Sequence, residues 1–306
     1  MNVFHKKDQY KGYNIYSMKK YVDKKRIIFT TIIVILIIIT LGFIIYYSID
    51  TTIRLANAKR FEQKLIEYES NQEELQKQEK ERQAKIPKLT DEGKQNIKGI
   101  YKSETKRVFL TFDDGPSVNT ADVLDILKSN DIKATFFVLG TQVEKMPEMV
   151  KRAYQEGHYI ANHGYSHQYS QIYSSPETVL QEFNQCNSAV AKAIDVPEYN
   201  SHLFRFPGGS VGGKYANLKA EAVTLLEQNN IMHVDWNALT GDAEKSSPDE
   251  EYLMNNLQKT TQNKNSIVIL MHDAQAKRVT VDFLPKLIEF FQQQGYQFEN
   301  FYSIIK

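Results

Sequence analysis

From Lys106 onward, short apolar runs alternate with amphipathic segments that have a helical period. The first run is Val108–Phe112, and the last clear one is Ile267–Met271. Strands that alternate with helices are joined by right-handed crossovers, which produce a parallel sheet. Six or seven such units are too many for a small open sheet and nearly enough for a barrel. The sequence therefore predicts an irregular (β/α) barrel of about seven parallel strands, with an open doubly wound sheet as the alternative.

The chain before this region changes abruptly in composition. Residues 1–26 are rich in lysine and arginine, whereas residues 27–47 contain no Asp, Glu, Lys, Arg or His. A helix of that length spans roughly the 30 Å of a bilayer core. The cations on its amino side place the amino terminus in the cytoplasm and the rest of the chain outside. We predict a single-pass anchor in the cell membrane, with a cleaved signal peptide ending near Ala56-Asn57-Ala58 as the alternative.

Composition also predicts the boundaries of the segments after residue 47. Residues 48–85 are polar and lack Pro and Gly, which predicts a helical stalk. Its heptad positions lose apolar character along the segment, so only a weak stalk-mediated dimer is expected. Pro and Gly among polar residues predict a linker at 86–105, which leaves residues 106–306 as the α/β domain. A net charge of +1 argues against nucleic-acid binding. The single cysteine excludes an internal disulfide and a thiolate metal cluster.

Two adjacent carboxylates, Asp113 and Asp114, follow the first strand within Thr111–Pro116. The carboxyl ends of parallel strands are where such sheets place their chemistry. Neighbouring side chains of a strand point to opposite faces, so the two carboxylates must have different roles or one must leave strand geometry. On this hexapeptide alone, a simple Asp-Gly-Pro turn is an equally good interpretation.

Polar residues also follow the later predicted strands. They are Asn162–His167, Arg205, Asp235 with Asp242 in the next loop, and His272. His163 and His167 are four residues apart, which places two imidazoles on one side of a helix or tight loop. Two imidazoles and one carboxylate form a donor set that suits Zn²⁺ and leaves a position for water. No Glu lies between the histidines, so this is not the His-Glu-x-x-His helix of metalloproteases.

Four motifs occur in order on this α/β pattern. They are Thr-Phe-Asp-Asp-Gly-Pro at 111–116, His-x-x-x-His at 163–167, Arg-x-Pro at 205–207 and Leu-x-His at 270–272. Together they resemble the polysaccharide deacetylase family, the NodB-homology domain of carbohydrate esterase family 4. The resemblance covers about residues 106–301 and excludes the anchor and stalk. With the anchor included, the chain resembles membrane-anchored peptidoglycan N-acetylglucosamine deacetylases.

The resemblance implies a divalent metal site. Asp114, the second carboxylate of the pair, would bind the ion together with His163 and His167. Zn²⁺ is the ion that this donor set favours, and Co²⁺ would also be accepted.

The resemblance also implies the acid–base residues. Asp113 would be the general base and Arg205 would hold it ionised, while His272 would protonate the leaving amine. A backbone N–H near Gly208 would stabilise the oxyanion, and Leu270 would line the slot for the acetyl methyl group.

The chain departs from the family at the residue that should hold His272. Asp235-Trp236 matches the family's Asp-Trp pair in letters. Aligning Trp236 instead with the aromatic residue of an earlier strand, where it would bind substrate, puts Asp242 at the partner position and Ala243 in place of the second Trp. We favour Asp242. Residues 206–208 also replace the commoner Pro-Pro-aromatic sequence.

The function that the resemblance implies is hydrolytic N-deacetylation of amino sugars in a cell-envelope polysaccharide, with peptidoglycan as the favoured glycan partner. Three alternatives use the same site: exported poly-N-acetylglucosamine, chitin oligomers or an O-acetylated glycan. A fourth alternative is a membrane-tethered protein that binds wall glycan without catalysis.

Overall fold

The computed structural model describes residues 15–305, so part of the basic segment predicted at 1–26 lies outside the described residues. The chain divides into two compact units, at 1–78 and 79–306. Helix α1 (Ile15–Ala84) includes the uncharged stretch 27–47, whose side chains are exposed. Its most apolar part has a mean hydropathy of 3.1, which by length and composition is suitable for crossing a membrane.

The second unit alternates strands and helices, as the apolar pattern predicts. Its elements in chain order are α2 (Asp91–Lys98), β1 (Arg107–Asp113), α3 (Val118–Ser129), β2 (Thr135–Val138), α4 (Gly140–Lys145), α5 (Pro147–Gln155), β3 (Tyr159–Asn162), α6 (Tyr169–Ile172), α7 (Pro176–Ile194), β4 (Leu203–Phe204), α8 (Ala216–Gln228), β5 (Met232–His233), β6 (Ala238–Leu239), α9 (Glu250–Thr261), β7 (Ser266–His272), α10 (Arg278–Gln293) and β8 (Gln297–Glu299). A 3₁₀ turn at Phe301–Ser303 follows β8.

Every strand pairing in the described chain is parallel. The sheet order is β5-β4-β3-β2-β1-β7-β6, and β8 pairs with the first residues of β1. Strands β5 and β6 are the two ends of this order and do not pair with each other in the described chain, so the barrel is open between them. The predicted irregular barrel of about seven parallel strands is confirmed. Pairing of β1 with β7 sets Asp113 directly beside His272.

Side chains of β1 alternate between two cores, as the pleat of a strand requires. Val108, Leu110 and Phe112 belong to the large apolar cluster that also contains residues of the outer helices. Phe109 belongs to a second cluster, which contains inward residues of β2 to β5 and of β7. Thr111 and Asp113 continue the row of Phe109 toward the carboxyl end of the strand. The inward-facing row of β1 therefore begins in the apolar interior of the barrel at Phe109 and ends at the carboxylate of Asp113.

Residues 86–105 differ from the linker predicted there. This segment contains α2, and Ile97 and Ile100 are buried in the same cluster as Phe109. Ile86 is buried against the outer cluster. Pro87, Gly93 and Gly99 suggested a flexible connection, but the isoleucines beside them cover apolar surface of the barrel. The compact unit accordingly begins at Glu79 and not at residue 106.

Candidate metal and catalytic site

The turn after β1 brings both carboxylates to one pocket. Asp114 has a left-handed backbone (φ 72°), so the chain leaves strand geometry directly after Asp113. A Cβ atom on Gly115 would lie 2.3 Å from a carboxylate oxygen of Asp273, so only glycine fits there. Asp273 is fully buried and accepts a hydrogen bond from the Thr120 hydroxyl at 2.5 Å. Burial raises its pKa to about 7. The hexapeptide is thus more than a turn, because its geometry turns two neighbouring carboxylates toward the same cavity.

Asp114, His163 and His167 converge on one point. Oδ1 of Asp114 lies 3.5 Å from Nε2 of His163 and 3.4 Å from Nε2 of His167. One potential ligand atom from each residue lies within 4.8 Å of the others. Oδ1 is buried, yet it accepts no hydrogen bond from any residue between 15 and 305. A buried carboxylate oxygen is costly without a partner, so this orphaned atom fits a cation held by the three residues.

The tautomer of His163 suits metal binding. Its Nδ1 lies 2.8 Å from the carbonyl oxygen of Arg205 and donates to it, which leaves the Nε2 lone pair facing Asp114. Burial lowers the pKa of His163 to about 3, so the ring stays neutral. The loop to His167 is held by Glu182 of α7, whose Oε2 accepts hydrogen bonds from the backbone N–H groups of Tyr165 and Ser166 at 2.6 and 2.7 Å.

Asp113 is paired with Arg205, as predicted from the resemblance. Nη1 of Arg205 donates to Oδ1 of Asp113 at 2.9 Å and to the Thr111 hydroxyl at 2.8 Å, and Arg205 itself is fully buried. The guanidinium stacks on Phe137 at 3.9 Å from the ring centre. Burial raises the pKa of Asp113, while the charge of Arg205 opposes that rise. A carboxylate whose pKa is moved toward neutrality is well matched to accepting a proton.

The structure brings Asp242, and not Asp235, to His272. Oδ1 of Asp242 lies 3.1 Å from Nδ1 of His272, and its Oδ2 accepts the His272 backbone N–H at 2.7 Å. The Thr280 hydroxyl also donates to Oδ2, at 2.7 Å. Asp235 instead accepts hydrogen bonds from Ser210. Burial disfavours the imidazolium form of His272. The hydrogen bond and charge of Asp242 outweigh this effect and raise the pKa of His272 to about 9.

Nine of the ten predicted site residues line one cavity of about 280 Å³, and the exception is Arg205. Arg205 lies behind the wall, where it contacts Asp113 and lies 5.8 Å from the ring of Trp236. Leu270 pairs with Leu239 of β6, and together with Trp236 they form an apolar side of the cavity. Gly208 also lines this cavity. The cavity thus combines a metal-ligand group, a carboxylate, an imidazolium and an apolar slot.

Some residues of the site were missed by sequence reasoning. The sequence alone assigns no role to Glu182, Thr280 or Tyr169. Glu182 had a signal, since it lies on the buried side of an amphipathic helix where an acid needs a partner. Tyr169 had none, because its position depends on how the loop after His167 folds.

Comparison with known proteins gives a consistent result. The sequence model of polysaccharide deacetylases matches residues 101–225. A peptidoglycan-N-acetylglucosamine deacetylase of Bacillus cereus is 33% identical over 205 residues, which cover 65% of this chain and 71% of that protein. Among solved structures, a Streptococcus mutans CE4 esterase is similar with a TM-score of 0.62 at 30% identity, over 68% of this chain and 90% of that one. The catalytic domain of a Eubacterium rectale peptidoglycan N-acetylglucosamine deacetylase has a TM-score of 0.60 at 31% identity, over 65% and 90%.

Proposed function

The chain belongs to the polysaccharide deacetylase family and is a hydrolase of non-peptide carbon–nitrogen bonds, and we propose that it removes acetyl groups from N-acetylated amino sugars of peptidoglycan in a metal-dependent reaction. The observation that carries the proposal is the cavity in which Asp114, His163 and His167 adjoin a candidate base and a candidate acid. Metal-assisted amide hydrolysis uses a metal site, a base and an acid in this arrangement.

Asp114, His163 and His167 would hold one divalent ion, for which Zn²⁺ is the first choice and Co²⁺ the second. Such an ion, when bound, lowers the pKa of water and polarises a carbonyl group. Neutral histidines and an ionised carboxylate are the forms that bind it. The His163 tautomer and the orphaned Asp114 oxygen support this assignment.

The proposed acid and base lie on the two paired strands β1 and β7. Asp113 takes a proton from the attacking water, and Arg205 holds that carboxylate in position. His272, kept protonated by Asp242, gives a proton to the nitrogen as the carbon–nitrogen bond breaks. Acetate and a free amine are the products.

The rest of the pocket would position the substrate. The backbone N–H of Gly208 would donate a hydrogen bond to the carbonyl oxygen as it becomes an oxyanion. Leu270 would contact the acetyl methyl group, and Trp236 would contact the sugar. Both residues lie on the apolar side of the cavity.

We propose that helix α1 anchors the protein in the cell membrane as a single pass, with the amino terminus cytoplasmic and the catalytic domain extracellular. The exposed apolar stretch 27–47 supports an anchor, and the preceding cations support the orientation. A domain outside the membrane reaches wall glycans, and the relatives named for peptidoglycan deacetylation support this substrate.

The test is release of acetate from purified peptidoglycan by the full chain in detergent, with Zn²⁺ and with a chelator. We expect acetate and new free amino sugars only with metal. Chitin oligomers, poly-N-acetylglucosamine and an O-acetylated glycan serve as competing substrates, and faster release from one of them would replace peptidoglycan in the proposal. Binding of glycan without acetate release in the presence of metal would indicate a wall-binding protein instead.

A further inference from the structure

Tyr169 stands in the candidate active site although no motif includes it. It is the first residue of α6, and its ring centre lies 5.6 Å from that of His167. The side chain is 42% exposed and lines the same cavity as Asp114, Gly208 and His272. Its hydroxyl has no hydrogen-bond partner within residues 15–305. An unpaired donor on the wall of a catalytic cavity is available to a ligand.

Gly208 and the Tyr169 hydroxyl occupy adjoining space. Gly208 has a φ of 75°, which disfavours residues with a side chain. A Cβ atom on Gly208 would lie 2.6 Å from Oη of Tyr169, closer than any real contact. The hydroxyl therefore lies directly against the backbone of Gly208, where a side chain would otherwise be.

Backbone groups on both sides of Gly208 are hydrogen-bonded, whereas the N–H of Gly208 is not bonded within the described chain. The Tyr173 hydroxyl donates to the carbonyl of Pro207 at 2.7 Å. The buried Lys219 ammonium donates to the carbonyl of Gly209 at 2.7 Å, and the Gly209 N–H donates to the Phe206 carbonyl. Among the described residues, the Gly208 N–H has no acceptor.

Two unpaired donors thus adjoin one another on the side of the cavity that carries the metal-ligand residues. His272 and Asp242 hold the acid function elsewhere in the same cavity. An ion held by the metal-ligand residues would polarise the carbonyl oxygen of an acetyl group, so donors beside these residues would adjoin that oxygen, whereas the acid must face the nitrogen. An oxyanion accepts more than one hydrogen bond, and donors positioned beforehand stabilise it more than the neutral carbonyl.

We propose that the Tyr169 hydroxyl is a second hydrogen-bond donor, beside the Gly208 N–H, to the acetyl carbonyl oxygen as it becomes an oxyanion. This inference rests on the proposed deacetylase function. It makes Tyr169 a catalytic residue that transfers no proton and forms no covalent bond. Gly208 is required in this arrangement because any larger residue would displace the hydroxyl.

The first test is the Tyr169→Phe variant of the full chain with Zn²⁺, which removes only the oxygen atom. Loss of a fully enclosed oxyanion donor lowers kcat by roughly 10²–10³-fold. Because Tyr169 is partly exposed, we expect about a tenfold fall in kcat, with KM and bound metal unchanged. Tyr165→Phe is the matched control, since Tyr165 lies in the loop just before α6 and its hydroxyl donates to Glu144, which does not line this cavity.

The results separate this inference from the function on which it rests. Equal kcat values for wild type and Tyr169→Phe overturn the inference alone, and so does a rise in KM without a fall in kcat, which would indicate a sugar contact. Absence of acetate release by the wild type overturns the proposed function as well.

The second test measures the contact itself. Gly208→Ala is made in the wild type and in Tyr169→Phe, and the melting temperature is recorded for each. Because Oη is the nearest atom to the new Cβ, the substitution should lower the melting temperature more when Tyr169 is present. Equal losses in both backgrounds would contradict the geometry that carries the inference.

Discussion

The two ends of the barrel interior are built from the same strands and have opposite chemistry. Toward the amino end, Phe109 packs with Phe301 at 5.3 Å between ring centres, and Ile97 and Ile100 join the same apolar cluster. Toward the carboxyl end, the row of Phe109 reaches Asp113, a buried carboxyl group paired with the Arg205 guanidinium. The apolar end gains free energy from burial, whereas the polar end must offset the cost of buried charge with pairing. In this barrel the apolar end therefore stabilises the fold, and the polar end carries the candidate catalytic residues.

The largest effect should come from the polar end through Asp114→Ala. Removing the carboxylate leaves two histidines, so we expect loss of metal binding and of acetate release. The melting temperature of the metal-free protein should change little, because Oδ1 of Asp114 accepts no hydrogen bond from the described residues. Metal content, acetate release and thermal unfolding check these points. Retained metal and activity would remove Asp114 from the proposed ligand set.

Arg205→Ala should lower both stability and catalytic activity. Arg205 contacts both ends of the barrel interior, because it stacks on Phe137 and binds Asp113. An uncompensated buried charge costs about 3–5 kcal/mol in stability. Misplacement of the base should lower kcat by about 100-fold, while metal stays bound. Chemical unfolding and acetate assays on the same preparation measure both effects. A variant with full activity would contradict the pairing of Arg205 with the base.

Phe109→Ala should affect stability alone. Phe109 is fully buried, so truncation should lower the free energy of unfolding by about 3–5 kcal/mol. Under conditions where the variant is folded, kcat should stay within about twofold of wild type. Phe109→Leu, which leaves a smaller cavity, provides a graded control. A large loss of kcat in the folded variant would show that the two ends are not separable.

The smallest effect is expected from Asp242→Asn, and it depends on pH. The pKa of His272 is raised to about 9, so its acid form is present below that pH and is lost as pH rises through it. Without the charge of Asp242, burial of the ring is no longer outweighed and should bring this pKa to its usual value of about 6.5 or below, which predicts a loss of kcat at pH 7 of at least about fourfold. The alkaline limb of the kcat profile should move to lower pH.

Thr280→Val is the control for Asp242→Asn. It removes the hydrogen bond from the Thr280 hydroxyl to Asp242 but leaves the carboxylate beside His272 in place. We expect a smaller movement of the alkaline limb in this variant. An unmoved limb in Asp242→Asn would contradict the assignment of His272 as the acid.

Local pattern was sufficient where one element decides the outcome. The strand–helix alternation predicts the barrel, and the order of motifs predicts the residues that line its carboxyl end. It was insufficient where packing decides. Pro and Gly in the segment 86–105 predict a linker, whereas the burial of Ile97 and Ile100 depends on a surface formed by distant strands. The sequence favours Asp242 over Asp235 as the partner of His272, but the contact itself depends on how the loops fold.

The sequence by itself determined the class of fold, the uncharged stretch suited to a membrane, and the types of residue at the ends of the strands, because these follow from local periodicity and composition. Only the tertiary structure decided that Asp242 holds His272, that Arg205 lies between Phe137 and Asp113, and that Tyr169 lies against Gly208. The physical reason is that strand register and loop closure bring together residues that are far apart in the chain, such as Asp113 and His272, whose numbers differ by 159. No local pattern encodes those distances.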